Sequence, residues 1–315
     1  MIKRMEGNII KIRKEPTELK MLKLLNSRTS LSAKDKNNYH YLEKGFEGEK
    51  KFDAMIGNSS ECLLIIPDLL FEYQNTTFQI DSLVIAKEEI YLFEIKNNER
   101  DHYFKDDNWY LLSGKEIKNP LLQLKRSESL LRRLLQSLGF QLPIKAYLVF
   151  VNPHFFLYQA PMKAPIIFHP QLKHFIDDLK ATSLKITDGH VNIAKKLLSH
   201  HIEETTFHHI PEYTFEQLKK GITCIKCTSF MKALSLQSLA CEKCGIKEDT
   251  ETAILRSIDE FQLLFPNRKI TTTGIHEWCE IIHSKKMIRR ILFENYTLQG
   301  YGRSAHYVRK NKNTQ

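Results

Sequence analysis

Between Tyr41 and Val151 the spacing of apolar positions changes period several times, and each change marks an element. Leu42, Phe46, Phe52, Met55 and Ile56 recur at helical spacing. Cys62–Ile66 is a short apolar run of strand type. Thr77–Ala86 and Ile90–Lys96 are rich in β-branched and aromatic residues, and only Lys87-Glu88-Glu89 separates them. That pattern predicts two strands joined by a tight turn. Trp109–Leu112 and Glu116–Ile117 flank Ser113-Gly114-Lys115, a hairpin turn. Asn119-Pro120 opens a helix running to about Leu138, with Leu121, Leu124, Leu131, Leu134 and Leu135 in one stripe and Gly139 as its stop. Ile144–Val151 is almost continuously apolar, as in a strand covered on both faces. Pro165–Phe168 reads as one more short strand, and helices follow near Gln171–Lys180 and Val191–His200. Helices alternating with strands predict an α/β layer.

The pattern differs on either side of this block. Residues 1–40 are polar and basic, with weak helical periodicity at Leu19, Leu22, Leu24 and Leu25, which fits an arm or a marginal helix. Near the C-terminus, Ile254, Ile258, Phe261 and Leu264 mark a helix stopped by Pro266. Thr271–Thr273 can cap a second helix carrying Ile275, Trp278, Cys279 and Ile282. Ser284 can cap a third with Met287, Ile288, Ile291 and Leu292. Tyr296, Gly300-Tyr301-Gly302-Arg303 and His306-Tyr307-Val308 then read as a β-hairpin. This order resembles a winged helix-turn-helix. Its third helix, bearing Lys285, Lys286, Arg289 and Arg290, would enter a major groove, and its Gly-rich wing with Arg303 would follow the backbone.

Composition narrows the partners. The 315 residues carry a net charge of +10, with a hydrophobic fraction of 42%, so two or three folded domains and a polyanionic partner are expected. The excess is concentrated at the ends, ten Lys/Arg against four Asp/Glu in residues 1–40 and eleven against six in residues 251–315. Solvated faces that only aid solubility have the same composition. No apolar stretch reaches the roughly 18 residues that span a bilayer, and no apolar segment follows Met1-Ile2-Lys3-Arg4, so a cytoplasmic protein without a membrane partner is expected. In that compartment thiols stay reduced, and the six cysteines read as metal ligands or core residues.

The hairpin carries candidate chemistry. Glu94 and Lys96 are two apart on a strand and share a face. If Ala86 pairs with Glu89, Asp81 lies opposite Glu94, with Cβ atoms roughly 5 Å apart. Two facing carboxylates amid Leu83, Ile85 and Leu92 are costly unless a cation joins them. Lys96 supplies one charge, and a hard divalent ion, Mg²⁺ or Mn²⁺, fits the oxygen donors. Such an ion polarises a phosphoryl oxygen and helps generate hydroxide, while Lys96 can position the water or neutralise charge on phosphorus. A surface strand with an ordinary ion pair would carry the same three letters.

Four segments in order place residues from about Tyr41 to Val151. They are Gly45-Phe46-Glu47-Gly48-Glu49, Gln79-Ile80-Asp81-Ser82-Leu83-Val84-Ile85, Phe93-Glu94-Ile95-Lys96-Asn97 and Asn119-Pro120-Leu121-Leu122-Gln123. Together they resemble the nuclease-related domain (NERD) family of the PD-(D/E)xK nuclease superfamily. The resemblance implies a restriction-endonuclease-like mixed sheet flanked by helices. It also implies metal binding by Asp81 and Glu94, a catalytic role for Lys96, and supporting roles for Glu49 and Gln123. From the residues alone, Glu49 fits either a third carboxylate beside the sheet or a solvated helix position. Gln123 fits either a contact to substrate or metal-bound water, or a local bond to the Asn119 turn. Some relatives in the wider superfamily carry Tyr four residues after the Gln; Ser127 stands there here, so no nuclease subtype carries over. Trp109 and Tyr110 suit a core or hairpin role better than base stacking.

Cys224-Ile225-Lys226-Cys227 and Cys241-Glu242-Lys243-Cys244-Gly245 form two CxxC knuckles. Four thiolates at this spacing predict a tetrahedral, coordinatively closed structural Zn²⁺ in a zinc ribbon. Cys62 and Cys279 fall within apolar patterns and read as buried bystanders. The expected layout is a basic arm over 1–40, a nuclease-like domain over 41–215, a zinc ribbon over 216–250 and a winged-helix-like domain over 251–315. The function that follows is a metal-dependent nuclease, with DNA the expected substrate. The alternative is a DNA-binding protein that keeps the fold without turnover; the intact Asp81, Glu94 and Lys96 set favours the enzyme.

Overall fold

A computed structural model describes residues 9–57, 62–182, 185–203, 209–282 and 284–310 of the chain. The chain forms two compact units, one of Met1–Pro16 with His40–Thr206 and one of Thr17–Tyr39 with Phe207–Gln315. Two helices come first, α1 (Thr17–Arg28) and α2 (Ala33–Gly57). In the first unit α2 leads into β1 (Leu64–Tyr73), β2 (Thr76–Ile85) and β3 (Ile90–Lys96). The short strands β4 (His102–Lys105), β5 (Asn108–Leu111) and β6 (Glu116–Ile117) follow, then α3 (Pro120–Ser137) and β7 (Ile144–Phe150). The unit ends with β8 (Leu157–Tyr158), β9 (Ile166–Ile167), α4 (His169–Thr182) and α5 (Asp188–His200).

The central sheet has the order β1-β2-β3-β7-β9. The first three strands are antiparallel, and β3, β7 and β9 are parallel, giving a mixed sheet. Both faces are covered, which explains the nearly continuous apolar runs Leu83–Ile85, Ile90–Phe93 and Leu148–Phe150. Leu83, Ile85, Ile90, Leu92, Leu148 and Phe150 pack with Leu131 and Leu134 of α3 and Ala194 and Leu197 of α5. Val84, Phe93, Ile95 and Val149 pack with Phe52 and Ile56 of α2 and Leu172 and Ile176 of α4. A second sheet has the order β6-β5-β4-β8; β4 to β6 lie in the chain between β3 and β7, and β8 follows β7. Trp109 on β5 is fully buried, and Tyr110 stacks on Tyr103 across the β4–β5 pair, centroids 5.0 Å apart.

One strand is longer than its sequence pattern suggests. The apolar run stops at Pro67, but β1 continues to Tyr73 and turns through Gln74 and Asn75, both at positive φ, into β2. Two successive left-handed residues are what a tight hairpin needs. Pro67 is tolerated because β1 is the outermost named strand of its sheet, where a missing N–H breaks no second ladder. Asp68 has φ 54, and the β1–β2 register passes from Pro67↔Ser82 to Leu69↔Ile80 without a pair at Asp68 and Asp81.

In the second unit α1 is not a free arm. Leu19, Leu22 and Leu25 are at most 1% exposed, and the buried Arg28 guanidinium lies 4.0 Å over the Trp278 ring and 3.0 Å from Glu260. The three-stranded sheet of β10 (Lys232–Ala233), β11 (Ser238–Ala240) and β12 (Lys247–Asp249) precedes α6 (Thr250–Leu264), α7 (Thr272–Cys279) and α8 (Lys285–Asn295). A hairpin of β13 (Tyr296–Gln299) and β14 (His306–Arg309) closes the unit. Thr271 accepts from Gly274 N–H at 3.0 Å and Ser284 from Met287 N–H at 3.3 Å, so both caps read from sequence are formed. Cys224, Leu239, Cys241, Phe261, Trp278 and Ile291 belong to one core, shared by the cysteine knuckles and the C-terminal helices. Cys279 is buried, whereas Cys62 is only partly covered.

Candidate active site and metal centre

The β2–β3 hairpin closes with Ala86 N–H donating to the Glu89 carbonyl at 3.0 Å. Its ladder runs from Ile85↔Ile90 to Ser82↔Phe93, the register that puts Asp81 next in line with Glu94. There the strands part. Asp81 Oδ2 accepts from Ile95 N–H at 2.7 Å, so the side chain takes a main-chain donor that a continued ladder would have used. Asp81 and Glu94 are both buried, and Lys96 Nζ donates to Glu94 Oε1 at 2.6 Å. Three groups of opposing charge thus meet at the end of β3.

Their electrostatics follow from burial. Burial pushes the Asp81 carboxyl upward, while Lys96, the Ile95 N–H and Arg13 pull it down. Burial and then the charge of Asp81 push Glu94 up to about 7, against Lys96. Burial alone would lower the Lys96 amine, but Glu94 and Asp81 outweigh it and hold it above its ordinary value. Glu49, on α2, is pushed up to about 8 by burial and again by Asp81, partly offset by Arg13. Both glutamates therefore feel Asp81, which makes the aspartate the common neighbour of the cluster. Lys118, just past β6, also acts on Glu94.

Gly48 explains how α2 reaches the sheet here. A Cβ at this position would lie 2.5 Å from Asn97 Cβ and 3.2 Å from Val151 Cγ2, so only glycine permits the approach. Asn97 Nδ2 donates to the Lys44 carbonyl at 2.8 Å and pins the same crossing. Gln123 is half-buried in the first turn of α3, whose Asn119 cap accepts from Leu121 N–H at 2.9 Å. Ser127, one turn further, is buried with its hydroxyl 3.5 Å from the Gln79 carbonyl.

Two contributors escape the sequence pattern. Arg13 donates through Nε to Asp53 Oδ2 at 2.6 Å, through Nη2 to Asp53 Oδ1 at 3.0 Å, through Nη1 to Glu49 Oε2 and through Nη2 to the Asp81 carbonyl at 2.7 Å. Asp53 stands one helical turn after Glu49, a spacing visible in the sequence. Arg13 is separated from its acceptors by 36 to 68 residues, and nothing local marks it among the basic residues of the first forty.

In the second unit the four cysteines converge. Cys224 and Cys244 sulfurs are 3.5 Å apart and those of Cys227 and Cys241 3.4 Å, and all four lie within 4.8 Å of one another. These separations exceed the S–S bond of about 2.05 Å. They approach the ~3.8 Å edge of a tetrahedron with metal–sulfur bonds of about 2.3 Å. Gly245 and Thr228 follow the last cysteine of their knuckles at φ 75 and 55, and Lys226 N–H points at the Cys224 sulfur at 3.4 Å. This set can hold a metal ion. Among the described residues it is the set of three or more His, Cys, Asp or Glu ligand atoms that lie this close together.

Lys285, Lys286, Arg289 and Arg290 are exposed on α8, opposite the buried Ile288, Ile291 and Leu292. Arg290 pairs with Glu251 at 3.3 Å. The Arg303 side chain lies outside the described residues. Among the described residues no helix is long and apolar enough to cross a membrane.

Among known families, the model described as nuclease-related domain matches residues 44–151, about a third of the chain. No curated protein and no solved structure matches the chain.

Proposed function

The chain carries a nuclease-related domain over residues 44–151, and we propose that this domain is a metal-dependent nuclease that hydrolyses phosphodiester bonds, with DNA as substrate. The observation that carries this reading is the convergence of buried Asp81 and Glu94 with the partly exposed Lys96 where β2 and β3 part. The donor set fits a hard divalent cation. Its oxygens belong to two buried carboxylates, and Asp81 raises the proton affinity of Glu94 although Lys96 opposes it. Asp81 and Glu94 would hold Mg²⁺ or Mn²⁺, with Glu49 in support. When bound, the ion supplies Lewis-acid polarisation of the phosphate and a water of lowered pKa.

The protein groups do the rest. Lys96 stays protonated, so it donates hydrogen bonds and places positive charge where charge builds on the phosphoryl oxygens. Its bond to Glu94 fixes the amine on the same face as the acids. The Ile95 N–H orients Asp81 by occupying Oδ2. Gln123, half-buried at the start of α3, is proposed to hold substrate or a metal-bound water.

The accessory parts are proposed to hold nucleic acid. Cys224, Cys227, Cys241 and Cys244 would bind one structural Zn²⁺, and the sulfur geometry supports a closed four-thiolate site. Helices α6 to α8 followed by the β13–β14 hairpin, with Ile270 bridged to Tyr307, have the order of a winged helix-turn-helix. Lys285, Lys286, Arg289 and Arg290 on α8, with Arg303 in the wing, would meet DNA. Incubation of purified protein with plasmid and linear DNA in Mg²⁺ or Mn²⁺ tests the assignment. Cleavage by the wild type and its loss in Asp81→Ala and Lys96→Ala are expected; equal cleavage by all three marks a contaminant and removes the assignment.

A further inference from the structure

The most densely bonded cation beside the carboxylate cluster comes from outside the stretch that matches the nuclease-related domain. Ile9 forms a parallel bridge with Ile65, and Ile10 N–H donates to the Ile65 carbonyl at 3.0 Å, so the N-terminal segment runs along the outer edge of β1. Lys11 reaches the Asp68 carboxylate at 3.2 Å. Two residues later Arg13 turns inward, its side chain only 4% exposed.

Its guanidinium ties two elements together. Asp53 takes both prongs of the fork, and Glu49, one turn earlier on α2, takes Nη1. The remaining acceptor is the main-chain carbonyl of Asp81. Asp81 has no partner in the β1–β2 register, and the β2–β3 ladder begins only at Ser82. The Arg13 N–H therefore stands in for the missing strand neighbour, while the Asp81 carboxylate receives Ile95 N–H. With its donors directed at three acidic residues, Arg13 is placed to orient the cluster and not to meet a phosphate.

We propose that Arg13 is a positioning residue that fixes Glu49 and the Asp81 peptide relative to each other, so that the cluster is complete only with a segment upstream of the matched domain. The role rests on the metal-site reading given above. A lysine would keep the charge but cannot fork between acceptors, so geometry and charge separate cleanly. The test titrates Mn²⁺ into the full-length, zinc-loaded chain by calorimetry and follows turnover in parallel. Arg13→Lys and Arg13→Ala are each expected to weaken Mn²⁺ binding at least tenfold. Both should also lower kcat by a similar factor with KM little changed, and Arg13→Ala should lower the melting temperature as well, because it leaves buried carboxylates without their partner. Asp53→Asn, which removes the charge that takes two of the Arg13 donors and so loosens the guanidinium, should give a smaller loss of about threefold and serves where the arginine variants fail to fold. Wild-type Mn²⁺ affinity and kcat in Arg13→Lys, or in Asp53→Asn should the arginine variants not fold, overturn the positioning role. A wild type that takes up no Mn²⁺ overturns the metal site itself, and this role with it.

Discussion

At the scale of single residues, the site is governed by how many charges share a small dry volume. Glu94 titrates near 7 instead of 4.5 because burial and Asp81 oppose its ionisation. A carboxyl whose folded pKa is raised contributes stability that is fully present below its unfolded pKa and is lost as pH rises through the folded one. Metal-free protein should therefore lose on the order of 1–3 kcal/mol between about pH 4.5 and 7 from this residue. Denaturant titrations across that range should show a flatter profile for Glu94→Gln; an unchanged slope would mean that Glu94 ionises freely. The acid pair and the lysine were legible in sequence because a hairpin with a tight turn fixes its own register. Arg13 was not, since its acceptors lie on α2 and β2 and only the tertiary fold brings them together.

At the scale of elements, close packing and capping decide what can be placed. Gly48→Ala forces a methyl against Asn97 and Val151, neither of which offers a flexible chain end. A destabilisation of about 1–3 kcal/mol is expected, measured as a lowered denaturant midpoint; wild-type stability would show that the α2–β3 contact is looser than described. On α8, Lys286 and Arg289 are exposed, whereas Arg290 is engaged by Glu251. Lys286→Ala or Arg289→Ala should each lower the magnitude of the log–log salt slope of DNA binding by about one, and Arg290→Ala by less. Slopes unchanged from the wild type in all three would remove α8 from the interface. The helices of the C-terminal region were readable because Thr271, Ser284 and Pro266 punctuate them. The strand β1 outruns its apolar pattern because Pro67 and Asp68 interrupt it, and an outer strand with a local kink accommodates both.

At the scale of the whole chain, a basic protein couples a nuclease-related domain to a second unit with its own core. Cys224 and Cys241 are part of the core that includes Ile288 and Ile291 of α8, so metal and DNA binding should fail together. One zinc per chain is expected by elemental analysis, and Cys241→Ser should release it and abolish DNA retention; retention without zinc would uncouple the two. Asp81 and Lys96 are proposed to act on one phosphate as a unit. Single-turnover cleavage by Asp81→Asn, Lys96→Ala and the double variant tests it most directly, because groups that act together lose their effect together. Each single change is expected to cost a hundredfold or more, with the double variant no slower than the slower single. Losses that multiply, or single variants as fast as the wild type, would show that Asp81 and Lys96 do not act as a unit.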